Sequence, residues 1–358
     1  MNDEVTLSLG GVDILGWTDV RVTCGIERIP RDFSIGLTER YKGETDLVTV
    51  GPGSACVVQI GGDAVVTGYV DRFVPSFDAQ GHRIEIAGRG KCQDLVDCSA
   101  EWDNGQISGA SALAVANKLA APYGITVSCD EAGLRVIPQF NIMLGETPFE
   151  IIDRVSRYSS LLAYEGADGN LVLARASTDQ HSSGIEQGAN VEGANVEYSA
   201  DQRFQTYKAF LQAINTFKEG GDGGNLIASV TDSGVKRNRQ KYIIAEAVAG
   251  YMDVAKQRAA WEMNRRNGRS AVVKVTVDSW RDSAGVLWEP NKLVSLYLPM
   301  LKLNSGGSEE RVVWLISEVT FRYGESGTAA DLTIMSPDAF AVEPSALQYG
   351  FVDGSQLR

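Results

Sequence analysis

The feature that most limits how this chain can fold is a succession of short runs in which apolar and polar residues alternate, each closed by glycine. Val5, Leu7 and Leu9 alternate with polar neighbours and stop at Gly10-Gly11. Val20, Val22 and Cys24 repeat the pattern, as do Phe33, Ile35 and Leu37. The stretch ACVVQIGGDAVVTGYV sets two β-branched runs around Gly61-Gly62-Asp63, a hairpin signature. HRIEIAG puts Ile84 and Ile86 on one face and Arg83 and Glu85 on the other. A period of two belongs to strands with one buried face, so the first hundred residues read as β. The 38 glycines against 10 prolines supply the many tight turns this needs. Strands so short and closely spaced suggest a barrel or sandwich rather than a parallel sheet.

The period then changes. SGASALAVANKLAAPYG starts at a candidate cap, Ser108, and carries Leu113, Ala116 and Leu119 at helical spacing until Pro122. In ETPFEIIDRVSRYSSLLAY, Thr147 can cap a helix, Pro148 suits its first position and Glu150 completes a capping box. Phe149, Ile152 and Val155 then share a face. Two strand patterns, LLAY and LVLA, flank a turn at Asp168-Gly169-Asn170. QTYKAFLQAI and LIASVTD form a further strand pair around the glycine-rich EGGDGGN. Later, Met252, Ala255, Ala259 and Met263 mark one stripe of a helix that closes at Arg265-Arg266-Asn267-Gly268. The expected class is α+β, mainly β. Residues 1–103 with 200–236 form a first β region, and 104–176 an inserted small α/β module. Residues 177–199, with the tandem GANVE-GANVE (188–197), form an irregular connection, and 237–358 a second, helix-decorated β region.

Composition narrows function. A charge of −13 opposes gripping nucleic acid, which relies on clustered Lys and Arg. No apolar run approaches the roughly 18 residues of a membrane helix, and the acidic start, MNDEVTLSLGG, lacks the pattern of a secretory leader. Five scattered cysteines, Cys24, Cys56, Cys92, Cys98 and Cys129, suit a reducing compartment.

Candidate chemistry gathers around GRGKCQDLVDCS (88–99) and fails on inspection. A phosphate loop needs glycine five residues before Gly90 and a hydroxyl after Lys91, where this chain has Glu85 and Cys92. Cys92 and Cys98, with His82 the only other nearby ligand type, fall short of a four-ligand zinc set. His82 and His181, the only histidines, lie in polar surroundings and read as solvated. Asp94 and Asp97 are the nearest carboxylate pair. GADGN (166–170) is a turn rather than a calcium loop, and Trp280, Trp288 and Trp314 read as core or interface anchors. No catalytic, metal or cofactor-binding residue is assigned.

Gly88, Arg89, Asp94, Leu95, Val96, Asp97 and Ser99 resemble a signature of baseplate hub proteins of Mu-like contractile-tailed phages, the late-control or tail-protein family. ETPFEIIDRVSRYSSLLAYEGADGNLVL, VKRNRQKYIIAEA with RAAWEMNRRNGRS, VTVDSWRDSAGVLWEPNKLVSLYLP and SPDAF resemble the same family in the same order. The tandem GANVE and EGGDGGN depart from it. The resemblance implies a non-enzymatic virion component without cofactors, assembled in the host cytoplasm. Three copies would form a ring, each giving two similar β-barrel domains, that joins the tail tube to the central spike and lets DNA pass. It also implies other baseplate proteins as partners, no membrane insertion, and kinship with type VI secretion spike proteins. The alternative function is a peptidoglycan hydrolase using a carboxylate pair.

Overall fold

The computed structural model describes residues 3–39, 50–79, 81–102, 105–134, 136–212, 225–245, 252–303 and 311–340. Residues 219–224 of the glycine-rich stretch lie outside them. With 46% of the described residues in strands and 17% in helices, the fold is mainly β.

The alternating runs of the first region become β1 (Val5–Leu9), β2 (Val12–Ile14), β3 (Asp19–Gly25), β4 (Asp32–Glu39), β5 (Ala55–Ile60), β6 (Asp63–Phe77) and β7 (His82–Gly90). They hydrogen-bond antiparallel in the order β3-β4-β7-β6-β5-β1-β2. The inward set, including Leu7, Val22, Ile35, Val58 and Ile86, is fully buried. Burying each such side chain stabilises the fold by about 1.5–3 kcal/mol.

After β7 come α1 (Gln93–Asp97), β8 (Gln106–Ser111), α2 (Ala112–Ala120), β9 (Val127–Ser128), β10 (Val136–Asn141), α3 (Pro148–Tyr158), β11 (Leu162–Glu165) and β12 (Leu171–Ala174). This module has its own core, in which Val115, Ile151, Val155 and Leu173 pack with Cys92 and Leu95. The module therefore begins at Cys92, ahead of the expected boundary at 104. Ser111 caps α2 by accepting from the Ala114 amide, whereas Ser108 sits inside β8 opposite Gln139. The capping box of α3 forms as the sequence requires: the Glu150 amide donates to Thr147 Oγ1 at 3.2 Å, and the Thr147 amide donates to Glu150 Oε2 at 2.8 Å.

The remaining elements are β13 (Ile185–Glu186), β14 (Val191–Tyr198), β15 (Thr206–Gln212), β16 (Asn225–Thr231), β17 (Gln240–Ala245), α4 (Met252–Gly268), β18 (Ala271–Val277), β19 (Leu293–Tyr297), β20 (Val312–Gly324) and β21 (Gly327–Met335). Glu318–Tyr323 of β20 pair antiparallel with Val20–Gly25 of β3. That ladder merges both β regions into one 13-stranded sheet, continuing from β3 through β20, β21 and β18 to β14. One core cluster runs through both, with Val22, Ile35 and Val66 beside Val273, Trp280, Trp288 and Phe321.

Three further expectations change. Residues 200–236 do not join the first β region: β15 and β16 pair with each other and with β17, and Tyr207, Ala209 and Ile243 pack on Ala255, Ala259 and Met263 of α4. The small alanines let the helix lie close to this sheet, which the alternation alone could not announce. Second, the tandem GANVE is no irregular connection. Its second copy lies in β14, antiparallel to β18 with a bulge between Val191 and Gly193. Glycine and asparagine masked the strand, because only Val191 and Val196 reach the core. Third, His181 is buried rather than solvated.

Arg281 ties the two ends of the sheet together. Its Nε donates to Asp3 at 2.7 Å, Nη1 to Asp63 at 2.7 Å and to the Gly285 carbonyl at 2.9 Å, and Nη2 to the Ile60 carbonyl at 2.9 Å. Its side chain is 8% exposed. Arg281→Met is expected to lower the unfolding free energy by about 2–4 kcal/mol, since it strands several acceptors at once. Urea denaturation checks this, and an unchanged midpoint would contradict the assignment.

Candidate functional site

Polar side chains converge in this molecule where separate elements meet. The first convergence is the GRGKC corner. Glu165, at the end of β11 and 1% exposed, points into it. Its Oε1 accepts from the Cys92 amide at 2.8 Å and its Oε2 from the Arg31 amide at 2.7 Å. Arg31 answers with Nε on the Glu165 carbonyl at 2.8 Å and Nη1 on the Val65 carbonyl at 2.9 Å. Thr67 Oγ1 donates to the Ala167 carbonyl at 2.9 Å. The first sheet and the inserted module are thereby locked through one buried carboxylate.

The glycines of the motif serve this approach. A Cβ on Gly90 would lie 2.1 Å from Glu165 Oε2, and one on Gly88 would lie 2.6 Å from the Phe33 ring. The Gly-x-Gly that resembles a phosphate loop therefore makes room for a carboxylate and an aromatic ring. Burial raises the Glu165 carboxyl above its ordinary range, against the pull of the Cys92 and Arg31 amides. Burial likewise lifts the Cys24, Cys56 and Cys92 thiols, Cys56 to about 12, so they stay protonated and unreactive at neutral pH.

The second convergence is around His181. Its Nδ1 lies 3.2 Å from Asp282 Oδ2, and its Nε2 accepts from the Glu289 amide at 3.2 Å. With Nε2 accepting, the proton is on Nδ1, and the neutral ring packs tilted against Trp288, with ring centroids 4.8 Å apart. Burial lowers the His181 pKa, only partly offset by Asp282. Burial pushes Asp282 up, but bonds from the Val286 amide, His181 and the Ser182 and Ala284 amides outweigh it and hold the carboxyl low. The pair resembles a catalytic His-Asp, yet the nitrogen that would act as base is already occupied by a backbone donor. It pins residues 181–184 to the loop after β18.

The other candidates separate. Arg89 holds Asp97 with two bonds, at 3.2 and 2.8 Å, and Asp71 at 2.6 Å, so Asp97 serves an ion pair. Leu95 is buried and Val96 half-buried, giving a strand that runs into a one-turn helix. Trp280 and Trp288 are buried with their indole N–H groups on backbone carbonyls, and Trp314 is half-buried in β20. Among the described residues no group of three or more His, Cys, Asp or Glu could hold a metal ion. Sequence reasoning missed Glu165 and Asp282. The Gly-x-Gly at the end of β7 was the available signal for the first; nothing local marked the second.

Comparison with known proteins follows the same joints. Residues 4–90 match the profile described as Mu phage baseplate assembly protein GpP-like, N-terminal. Residues 92–175 match baseplate hub protein gp44-like, second domain, and 252–343 match Mu phage baseplate assembly protein GpP, fourth domain. The first two meet between Gly90 and Cys92, at the Glu165 joint. The chain is 33% identical over 307 residues to baseplate hub protein gp44 of Escherichia phage Mu, covering 83% of this chain and 79% of that protein. It belongs to the Mu-like baseplate hub family.

The 43 kDa tail protein of prophage MuSo2 from Shewanella oneidensis superposes with a TM-score of 0.80 at 31% identity, covering 94% of this chain and 99% of that one. A tail protein from Neisseria meningitidis MC58 shares the fold at TM-score 0.80 and 21% identity, covering 95% and 99%. An E. coli component of the type VI secretion system shares it more distantly, at TM-score 0.57 and 12% identity, covering 96% and 78%. This hub protein is thus a structural component of a phage tail, not an enzyme, and its buried polar clusters are joints.

Two outcomes follow for this hub protein. Glu165→Ala leaves the Arg31 and Cys92 amides without their acceptor, at about 1–3 kcal/mol each, so urea denaturation should register a loss of about 2–6 kcal/mol; Gly90→Ala should cause a comparable loss by collision. For His181, whose folded pKa lies below the ordinary 6.5, the unfolded chain binds the extra proton first. Its contribution is therefore complete above about pH 6.5 and is lost as pH falls towards the folded value. The melting-temperature gap between wild type and His181→Gln should narrow from pH 7.5 to 5.5; a constant gap would show that the ring does not titrate between the two states.

Proposed function

We propose that three copies of this chain close into a ring that joins a contractile tail tube to the central spike and leaves a bore for DNA. The observation that carries the proposal is the 33% identity to the Mu baseplate hub over 83% of the chain. Further support comes from three family regions, N-terminal, second and fourth, matched in that order, and from a fold shared along nearly the whole chain with a prophage tail protein. In this reading the β1–β7 strands and the β18–β21 strands supply the two barrel-like domains of each subunit. A closed ring repeats one heterologous contact around its axis. Three copies carry −39, three times the charge of one. A bore lined by part of that charge would repel DNA and let it slide. The ring would assemble in the host cytoplasm, with tube, spike and other baseplate proteins as partners.

Native mass measurement over a concentration series, with negative-stain images of the same sample, tests the ring. The expected result is a species of three chain masses with threefold views and no retention of double-stranded DNA at about physiological salt. A single-copy species at every concentration would overturn the ring, and tight DNA retention would overturn the repelling bore.

A further inference from the structure

The three-stranded sheet β16-β15-β17 has two faces of opposite fate. Facing α4 are Tyr207, Ala209, Ala228 and Ile243, all buried. On the other face the register aligns Phe210 with Ile227 and Ile244, and Lys208 with Ser229 and Tyr242. This outward row should be polar if it met water, since a sheet with one covered face normally alternates apolar-in and polar-out. Instead Ile244 is 90% exposed, Tyr242 62% and Ile227 47%. Phe210 and Tyr242 pack edge to face at 5.2 Å, forming a ready-made aromatic anchor. The outer side thus carries an apolar cluster of Phe210, Ile227, Tyr242 and Ile244 at one end, beside Lys208 and Ser229, which the described residues leave largely open.

The charge around this face also runs against that of the chain as a whole. The described residues 203–212 and 225–245 hold six Lys or Arg against one Asp, a net of +5, in a chain that totals −13. Lys236 and Arg237 are exposed on the approach to β17, and Lys208 lies on the face itself. An apolar centre with a basic rim fits a partner that is apolar at the contact and acidic around it. The remainder of this same chain has that sign.

We propose that the outer face of β15–β17 seats the acidic surface of a second copy of this chain, making it one half of the heterologous contact that closes the ring. The inference rests on the ring reading above and names the surface that reading leaves open. Size is consistent with a centre plus rim. Three strands about 4.8 Å apart and six or seven residues long offer on the order of 300 Å², whereas a stable contact buries about 800 Å² per partner. The strands thus supply the anchor, and the basic rim supplies much of the remainder.

The test compares three single variants of the full chain by sedimentation over a concentration series. Ile244→Asp and Tyr242→Ser change side chains that are mostly in solvent, so each should fold with an unchanged circular dichroism spectrum. Each is expected to raise the concentration at which the assembly dissociates by about tenfold or more, as loss of an interface anchor does. Leu144→Asp, at a fully exposed position on the inserted module, should leave dissociation unchanged. Raising salt should weaken the wild-type assembly, because the rim contact is electrostatic. If Ile244→Asp and Tyr242→Ser assemble like wild type, or Leu144→Asp is the variant that disrupts assembly, this assignment is overturned while the ring stands. If wild type itself never assembles, the ring reading fails and this inference falls with it.

Discussion

The antiparallel ladder between β3 and β20 is the contact on which the rest of this structure depends. It pairs Val22 with Phe321 and Cys24 with Val319, all buried, across almost the whole length of the chain. Without it the β1–β7 strands would end in a bare edge at β3, and the β18–β21 strands in another at β20. Bare edges of this kind recruit the wrong partners. Closing so long a loop costs entropy before it returns contacts, so the ladder has to be reinforced by a large shared core, as it is. The inserted module and the sheet on α4 are excursions made while this closure is held.

Buried polar joints then fix how the excursions sit. Glu165, Arg281 and Asp282 each bond to two or more groups distant in sequence. Inside a protein an unpaired polar group costs more than a paired one contributes, so such clusters specify orientation more than they add stability. That suits a protein whose role is position. An enzyme keeps a polar group free at a cavity for its substrate; here the His181 nitrogen and both Glu165 oxygens are saturated by the backbone.

Charge completes the picture. Copies of a chain at −13 repel one another at long range, so an assembly of them needs a contact where the local sign is reversed. The described residues 203–212 and 225–245 are such a region, and on its outward face Lys208 is aligned with Tyr242. Against the chain's overall acidity, this sheet combines the opposite sign with exposed apolar side chains.

The sequence by itself determined the local elements. Period-two runs placed β1, β3, β4, β5, β6 and β7, and the capping box at Thr147–Glu150 placed α3 within a residue. Family membership was also legible, because ordered motifs survive along the chain. Only the tertiary structure decided which strands are neighbours, that the two β regions share one sheet, that β15 and β16 belong with β17, and that the GANVE tandem contains an edge strand. It alone revealed Glu165 behind Gly90 and the burial of His181. The physical reason is that alternation and capping are energies of neighbouring residues, written in consecutive letters. Strand pairing, joint formation and the choice of which face a helix covers are differences between global packings. An outward Ile244 and an inward Ile243 look alike until α4 takes one side.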